Sequence, residues 1–149
     1  MLTCIKEYKD IPFAHRQYRH EGHCAFIHGH NWNIKITFKA ATLDQSGFVM
    51  DFGKLKPIRN WIDHHLDHAC LLSSNDPLLD TLLAFNQQHH VFKLLVLEDV
   101  SCEGLAQHLW QVFSSILQQE TGGRVAIHSI EVFENKSNAV VFTPQGVQG

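Results

Sequence analysis

Alternating apolar and polar residues predict two strands in the first third of the chain. After His30, the next four even-numbered positions are large and apolar: Trp32, Ile34, Ile36 and Phe38. The odd-numbered positions between them are polar, so one face of the strand is expected on the core and the other toward solvent. The pattern predicts strands over residues 2–10 and 30–40.

Helical periodicity begins at about Lys54. Apolar residues then recur every three or four positions: Leu55, Ile58, Ile62 and Leu66. Pro57 disfavours a regular helix before it, so the helix is predicted to start near Pro57 or to bend there. Residues 78–85 predict a short helix, and Ser101 is expected to cap a longer one that stops at Gly122.

The end of the chain returns to strand periodicity. Residues 93–98 predict a short apolar strand, and residues 125–133 and 139–142 predict a terminal hairpin. A loop is predicted from the Asp67-His68 pair onward. The order of strands, helices and strands favours an α+β fold with helices on one face of an antiparallel sheet. The chain of 149 residues has the length of one domain, predicted to span residues 1–149.

Composition and charge narrow the class of partner. The net charge is -3 with histidine neutral, and no run of Lys or Arg stands out, so we expect no nucleic-acid partner. No apolar run approaches the length of a membrane span, so we expect no membrane partner. The four cysteines show no C-x-x-C pairing, and the first residues resemble a charged strand rather than a signal peptide. These features predict free thiols in a reducing cytoplasm.

Histidine is the compositional outlier, with 12 in the chain. His28 and His30 stand two positions apart at the head of the second strand, so their side chains should share one face. His15 lies thirteen residues before His28, and Cys24 four residues before it. Three neutral imidazoles are typical of a catalytic zinc site with one open position. The three histidines are therefore candidate metal ligands, with Cys24 as a fourth ligand or a reactive thiol. Satisfied core histidines are the alternative.

Two further features carry candidate chemistry. Glu134 shares strand parity with Ile130 and Val132, so its carboxylate is expected to point toward apolar surroundings, where a ligand can supply its partner. A strand-end glutamate turned to solvent is the alternative. Asp67-His68 forms a possible oriented base, or simply a helix-end cap with a charge–dipole role.

Taken in order, these motifs resemble the 6-pyruvoyltetrahydropterin synthase / 6-carboxytetrahydropterin synthase family. The similarity covers nearly the whole chain, and its matching stretches are Phe13-Ala14-His15-Arg16, Glu21-Gly22-His23-Cys24, His28-Gly29-His30-Asn31-Trp32, Val49-Met50-Asp51-Phe52, Leu66-Asp67-His68 and Glu134. A Cys followed by three residues and His-Gly-His is similar to the bacterial 6-carboxytetrahydropterin synthases of queuosine biosynthesis. Pyruvoyl-forming members place the Cys further upstream, and a folate-linked group carries Glu near this position.

The resemblance implies a tunnelling fold (T-fold), in which subunits pool antiparallel sheets into an oligomeric barrel. Members are usually trimers or dimers of trimers with active sites between subunits. It further implies a lyase that converts 7,8-dihydroneopterin triphosphate to 6-carboxy-5,6,7,8-tetrahydropterin, with loss of triphosphate and acetaldehyde.

The resemblance also implies roles for individual residues. Zn²⁺ would be the cofactor, held by three ligands: His15, His28 and His30. Cys24 would accept a proton, and His68, oriented by Asp67, would serve as its relay.

Substrate contacts follow from the same resemblance. Glu134 would accept hydrogen bonds from the pterin ring. Family members also hold the pterin near a Thr-Glu or Ser-Glu pair, where Cys102-Glu103 stands here with a thiol as the weaker donor. The candidates for neutralising the triphosphate flank the ligands: Arg16, Arg19, His20 and His23.

Other functions stay open. Within the family, 6-pyruvoyltetrahydropterin formation or folate-linked side-chain cleavage are alternatives, because similar sites partition a common intermediate differently. A metal-dependent pterin-binding module without turnover is a third possibility. Residues 72–98 form a longer stretch than in compact members, and its role is open.

Overall fold

The computed structural model describes residues 1–146, which form six strands and three α-helices. The strands are β1 (Leu2–His15), β2 (His28–Ala40), β3 (Ala69–Ser73), β4 (Lys93–Leu97), β5 (Val125–Phe133) and β6 (Ala139–Phe142). The helices are α1 (Lys56–His65), α2 (Leu79–His89) and α3 (Cys102–Thr121). Short 3₁₀ turns cover His23–Ala25 and Phe52–Leu55.

One curled sheet of six strands carries the fold, in the order β4-β3-β1-β2-β5-β6. The pairs β1–β2, β2–β5 and β5–β6 are antiparallel, whereas β3 lies parallel to both β1 and β4. The α+β class is confirmed, but the sheet is mixed rather than wholly antiparallel. Strand β3 comes from the stretch after α1, where a loop was predicted, whereas β4 confirms the short strand predicted over residues 93–98.

Strand β3 was missed because it lacks a period of two. All five of its residues are buried, and a strand covered on both faces shows no alternation of apolar and polar positions. Its central position beside β1 matters for the site, because it brings the residues after Ser73 up to the end of β1.

Helices α1 and α3 contribute to the core against the sheet. Ile58 and Ile62 of α1 are fully buried, as are Leu105, Leu109 and Phe113 of α3, in one cluster with the even-numbered row of β2. In contrast, α2 contains no buried residue.

The predicted helix boundaries are largely confirmed. Helix α1 has Pro57 in its first turn after the 3₁₀ turn, which confirms a regular start near Pro57. The Ser101 side chain caps α3 by accepting a hydrogen bond from the Gly104 amide at 3.1 Å, and Gly122 ends it with a φ of 60°. No helix within residues 1–146 is long and apolar enough to cross a membrane.

Candidate metal centre

A β-bulge decides which way His15 points. In β1 the register against β2 shifts between Tyr8 and Ile11, and Asp10 adopts a φ of 55°. The Asp10 amide donates to the Asn33 side chain at 2.7 Å. Because a bulge adds one residue to a strand, the core-facing row changes from even to odd numbers. His15 therefore joins the buried row, and its side chain is fully buried.

His28 and His30 lie on the same face as His15. His15 pairs with His28 across the β1–β2 ladder, and His30 pairs with Phe13. The predicted shared face of the two β2 histidines is thus confirmed. A second register shift lies in the β2–β5 pair, between Thr37 and Phe38 of β2. It changes the buried positions of β5 from odd to even numbers.

The shift in β5 sets the direction of Glu134. Ile130 and Val132 are fully buried, and Glu134 follows them with the predicted parity. Its carboxylate Oε1 lies 3.0 Å from His30 Nε2 and 3.5 Å from His15 Nε2. Glu134 thus faces the histidines instead of solvent.

These four side chains form one compact donor group. One ligand atom from each of His15, His28, His30 and Glu134 lies within 4.8 Å of all the others. His15 Nε2 and His28 Nε2 are 3.1 Å apart. This group can hold a metal ion, since imidazole nitrogens and a carboxylate are ordinary first-row metal ligands.

Backbone carbonyls orient two of the histidines. His15 Nδ1 lies 2.7 Å from the Val100 carbonyl oxygen, and His28 Nδ1 lies 2.7 Å from that of Phe26. In the neutral ring Nδ1–H donates to the carbonyl, which leaves the Nε2 lone pair directed at the cluster. Burial lowers the pKa of His15 below its ordinary value and so favours the neutral ring.

His30 presents a buried nitrogen without a hydrogen bond. Its Nε2 has no hydrogen-bond partner among the described residues, although Glu134 Oε1 lies close to it. Buried polar atoms in folded proteins are seldom left unsatisfied. The donor set therefore fits a metal ion better than a self-contained hydrogen-bond network.

Trp32 supports the cluster from below. Its indole N–H donates to the Phe13 carbonyl at 2.9 Å, and its ring stacks on Phe13 with centroids 4.5 Å apart. The same ring meets His15 and His30 edge to face, at 5.0 and 5.3 Å. The imidazoles thus rest on a closely packed aromatic floor.

Cys24 lines a cavity beside the histidines. It sits in the 3₁₀ turn His23–Ala25, and a cavity of about 440 Å³ is lined by His23, Cys24, Phe26, His28, His30 and Glu134. The structure thus brings the predicted thiol together with two of the predicted ligands. All four cysteines are free, as expected.

Cys102 and Glu103 begin α3. Burial, and then the negative charges of Glu134 and Glu103, raise the pKa of Cys102 to about 12. The thiol is therefore protonated at neutral pH, and it can act only as a weak donor.

Asp67 and His68 form a pair, but outside this cavity. Asp67 Oδ1 and His68 Nδ1 are 2.6 Å apart, and the side chains are 38% and 80% exposed, respectively. Neither residue lines the cavity that contains Cys24. Within one chain, the predicted relay and the predicted proton acceptor are not brought together.

The candidate phosphate-binding cations differ in their surroundings. His23 lines the Cys24 cavity, whereas Arg19 is stacked on the neighbouring Tyr18 ring. Arg16 is bound to the buried Asp76. No sequence pattern predicts the Arg16–Asp76 pair, whose members lie sixty positions apart. The carbonyls of Val100 and Phe26 that orient the histidines belong to the backbone, so no side-chain pattern predicts them either.

Comparisons with known proteins agree with these features. The sequence model of the family described as 6-pyruvoyl tetrahydropterin synthase matches residues 4–145. The 6-carboxy-5,6,7,8-tetrahydropterin synthase of Rickettsia bellii is 26% identical over 136 residues, covering 90% of this chain and 94% of the relative. The protein of the same name from Synechocystis is 30% identical over 146 residues, covering 93% of each.

Solved structures share the fold. An uncharacterized protein from Wolinella succinogenes superposes with a TM-score of 0.84 at 21% identity, covering 97% of this chain and 98% of the other. The 6-pyruvoyl tetrahydropterin synthase of Plasmodium vivax gives a TM-score of 0.65 at 17% identity, covering 97% and 99%. The predicted T-fold is confirmed at the level of the chain. Because the family's sequence model spans nearly all of the chain, this protein belongs to the 6-pyruvoyl tetrahydropterin synthase family.

Proposed function

We propose that the protein is a zinc-dependent 6-carboxy-5,6,7,8-tetrahydropterin synthase. With uptake of one water molecule, it would convert 7,8-dihydroneopterin triphosphate to 6-carboxy-5,6,7,8-tetrahydropterin and release triphosphate and acetaldehyde. The observation that carries the proposal is the placement of Cys24 in one cavity with His28 and His30. The short Cys-to-His spacing and the printed name of both relatives, 6-carboxy-5,6,7,8-tetrahydropterin synthase, support this reaction over the alternatives.

Zn²⁺ is the proposed cofactor. His15, His28 and His30 would hold it through their Nε2 atoms, two of which are already oriented by carbonyls on the far side of the ring. Three neutral imidazoles are a common ligand set for catalytic zinc. When bound, the ion would supply Lewis-acid stabilisation of negative charge on the substrate's side-chain oxygens.

Cys24 is the proposed proton acceptor. Its Sγ would take a proton from the substrate side chain, a step that requires the thiolate. A free thiol with an ordinary pKa of about 8.5 is mostly protonated at neutral pH. A neighbouring base is therefore needed to remove the thiol proton, and the Asp67-His68 pair is the proposed one.

The relay is proposed to come from another copy of the chain. Asp67 holds His68 at 2.6 Å, while the His68 side chain is 80% exposed and outside the cavity of its own chain. In a homo-oligomer, a trimer or a dimer of trimers, this exposed pair would complete the Cys24 site of a neighbour. In a trimeric ring such a contact is heterologous, because each subunit gives its pair to one neighbour and receives a pair from the other.

Glu134 is proposed to anchor the pterin ring. Its Oε1 lies against His30, but a carboxylate has two oxygens and about four acceptor positions. It can therefore accept hydrogen bonds from the pterin amino group and ring N–H as well. Glu103 and the protonated Cys102 thiol would provide weaker contacts nearby.

Residues 1–149 would form one pterin-synthase-like domain, and the enzyme would act in the cytoplasm. Its product would be a precursor of queuosine.

The reaction is tested by product mass. Metal-replete protein is incubated with 7,8-dihydroneopterin triphosphate, and the products are identified by mass spectrometry. We expect 6-carboxytetrahydropterin with acetaldehyde from the wild type, and none from Cys24→Ala. A 6-pyruvoyl product or a cleaved side chain would replace the proposed reaction by an alternative. Tight pterin binding without any product would indicate a binding module.

The relay is tested by mixing two inactive variants. Cys24→Ala and His68→Ala are prepared separately and then co-expressed. If the two residues act from different subunits, mixed oligomers regain part of the activity, because some sites receive both intact residues. If they act within one chain, no mixed site is complete and activity stays absent.

A further inference from the structure

The buried ion pair between Arg16 and Asp76 connects the thiol turn to a distant part of the chain. Arg16 Nε lies 2.8 Å from Asp76 Oδ2, and Nη2 lies 3.5 Å from Oδ1, across sixty positions of sequence. The Asp76 side chain is fully buried, and that of Arg16 is 18% exposed. A guanidinium matches a carboxylate in this two-point geometry, which fixes direction as well as distance.

The third nitrogen of the same guanidinium holds the turn that carries Cys24. Arg16 Nη1 donates to the Ala25 carbonyl at 2.5 Å, and Ala25 is the last residue of the His23–Ala25 turn. The Gln17 amide donates to the Cys24 carbonyl at 2.9 Å. Two neighbouring residues just after β1 thus bind the consecutive backbone carbonyls of Cys24 and Ala25.

Asp76 is itself held rigidly at the other end. Its amide donates to the Ser73 carbonyl, at the end of β3, at 3.1 Å. Its Oδ1 accepts the Leu78 amide at 2.9 Å, just before α2. The carboxylate is therefore fixed by the turn between β3 and α2, in a segment that contributes no ligand to the metal centre.

We propose that Arg16 and Asp76 are positioning residues that set the direction of the Cys24 thiol. Arg16 directly follows the ligand His15, and Ala25 directly precedes Phe26, whose carbonyl orients His28. The pair therefore fixes the thiol relative to the histidines, and residues 73–78 hold Asp76 in place. This inference deepens the proposed function, because it concerns the thiol assigned as proton acceptor.

The test separates positioning from simple stabilisation. Arg16→Lys keeps a positive charge beside Asp76 but loses the fork that also reaches Ala25. Asp76→Asn keeps the shape and removes the charge. The matched control is Asp63→Asn, in the exposed Arg59–Asp63 pair, where the side chains are 52% and 49% exposed.

The first readout is the rate of Cys24 alkylation by iodoacetamide, resolved from the other cysteines by peptide mass spectrometry. In Arg16→Lys the turn is released, so we expect this rate to rise severalfold while metal content and far-ultraviolet circular dichroism match the wild type. The control variant should keep the wild-type rate. An unchanged alkylation rate in folded Arg16→Lys would overturn the proposal, even if Asp76→Asn fails to fold.

The second readout is turnover per bound metal. A misdirected thiol should lower kcat by about 10–100-fold, with a smaller change in KM, since a displacement of about 1 Å is enough for such a loss. If the wild type itself does not turn over the pterin substrate, the proposed reaction fails, and the alkylation rates still decide whether the pair positions the thiol.

Discussion

The metal centre and the Asp67-His68 pair are two parts of one proposed site that are built in opposite ways. His15, His28 and His30 come from two hydrogen-bonded strands, and their ligand atoms already converge within one chain. Asp67 and His68 follow the end of α1, and their partly or largely exposed side chains do not line the cavity. One half is therefore assembled within the single chain, whereas the other lies outside the cavity of the first.

The difference follows from how each part is supported. Cross-strand pairing fixes neighbouring side chains on a shared face, and the aromatic floor of Trp32 and Phe13 leaves the imidazoles little freedom. The His68 ring is hydrogen-bonded to its neighbour Asp67, and the His68 amide donates to the Pro12 carbonyl at 2.7 Å. The metal ligands converge within one chain here, whereas the exposed relay pair is the part proposed to be covered by a second copy.

The largest expected effect is that of His28→Ala. Removing one of three imidazoles should abolish activity and lower metal affinity by more than the roughly 10–100-fold that follows loss of an outer partner. His28 is partly exposed, so the fold should survive. Metal analysis measures the loss of bound metal, and circular dichroism checks that the fold is intact. His23→Ala, which lines the same cavity outside the donor group, is the control. Stoichiometric metal in His28→Ala would contradict the assigned ligand set.

The second effect separates the two parts of the site. His68→Ala should lower kcat by about 10²–10⁴-fold, the usual contribution of a general acid or base, and leave metal content unchanged. Steady-state kinetics and metal analysis on one preparation measure this. His64→Ala, near the end of α1, serves as the control. Loss of metal from His68→Ala would show that the two parts are not independent.

The third effect concerns the floor of the metal centre. Trp32→Phe leaves the buried Phe13 carbonyl without its 2.9 Å indole donor. Loss of this buried hydrogen bond should lower the free energy of unfolding by about 1 kcal/mol. Urea unfolding measures it, and metal affinity should fall in parallel. A stability equal to that of the wild type would show that this floor is not a significant support.

The smallest effect is a pH dependence of stability at the contact between α3 and α1, the helix that leads to the pair. Burial lowers the pKa of His108 and of His65 below the ordinary value of 6.5, and neighbouring histidines add to it. Both rings lie against Trp61, at 6.0 and 4.8 Å. The unfolded chain then takes up protons first, so stability is full above about pH 6.5 and falls below it.

His108→Gln should reduce the loss of stability on acidification without abolishing it, because His65 and His15 also have lowered pKa values. The free energy of unfolding measured between pH 8 and 5 checks the slope. An exposed control, His20→Gln, should leave the slope unchanged. A steeper slope in His108→Gln would reverse the sign assigned to this contact.

Much of the fold and the ligand set could be predicted from sequence, because both depend on short periods. The apolar row of β2 and the i, i+2 spacing of His28 and His30 indicate a strand face directly. The failures have physical causes. The buried β3 has no alternation, and β1 was ended at residue 10 because the bulge at Asp10 interrupts the pattern. Asp76 was missed as a site-supporting residue, since its partner Arg16 lies sixty positions away.

The sequence by itself determined the periodicities, the order of the motifs and therefore the family and the candidate ligands. Tertiary structure decided the rest. Two bulges turn His15 and Glu134 to the face of His28 and His30, and backbone carbonyls of Phe26 and Val100 set the tautomers. The reason is that local patterns encode one element at a time, whereas the direction of a side chain after a bulge depends on the neighbouring strand. The placement of Asp67 and His68 outside the cavity was also decided by tertiary structure, because it depends on where a helix ends relative to a sheet.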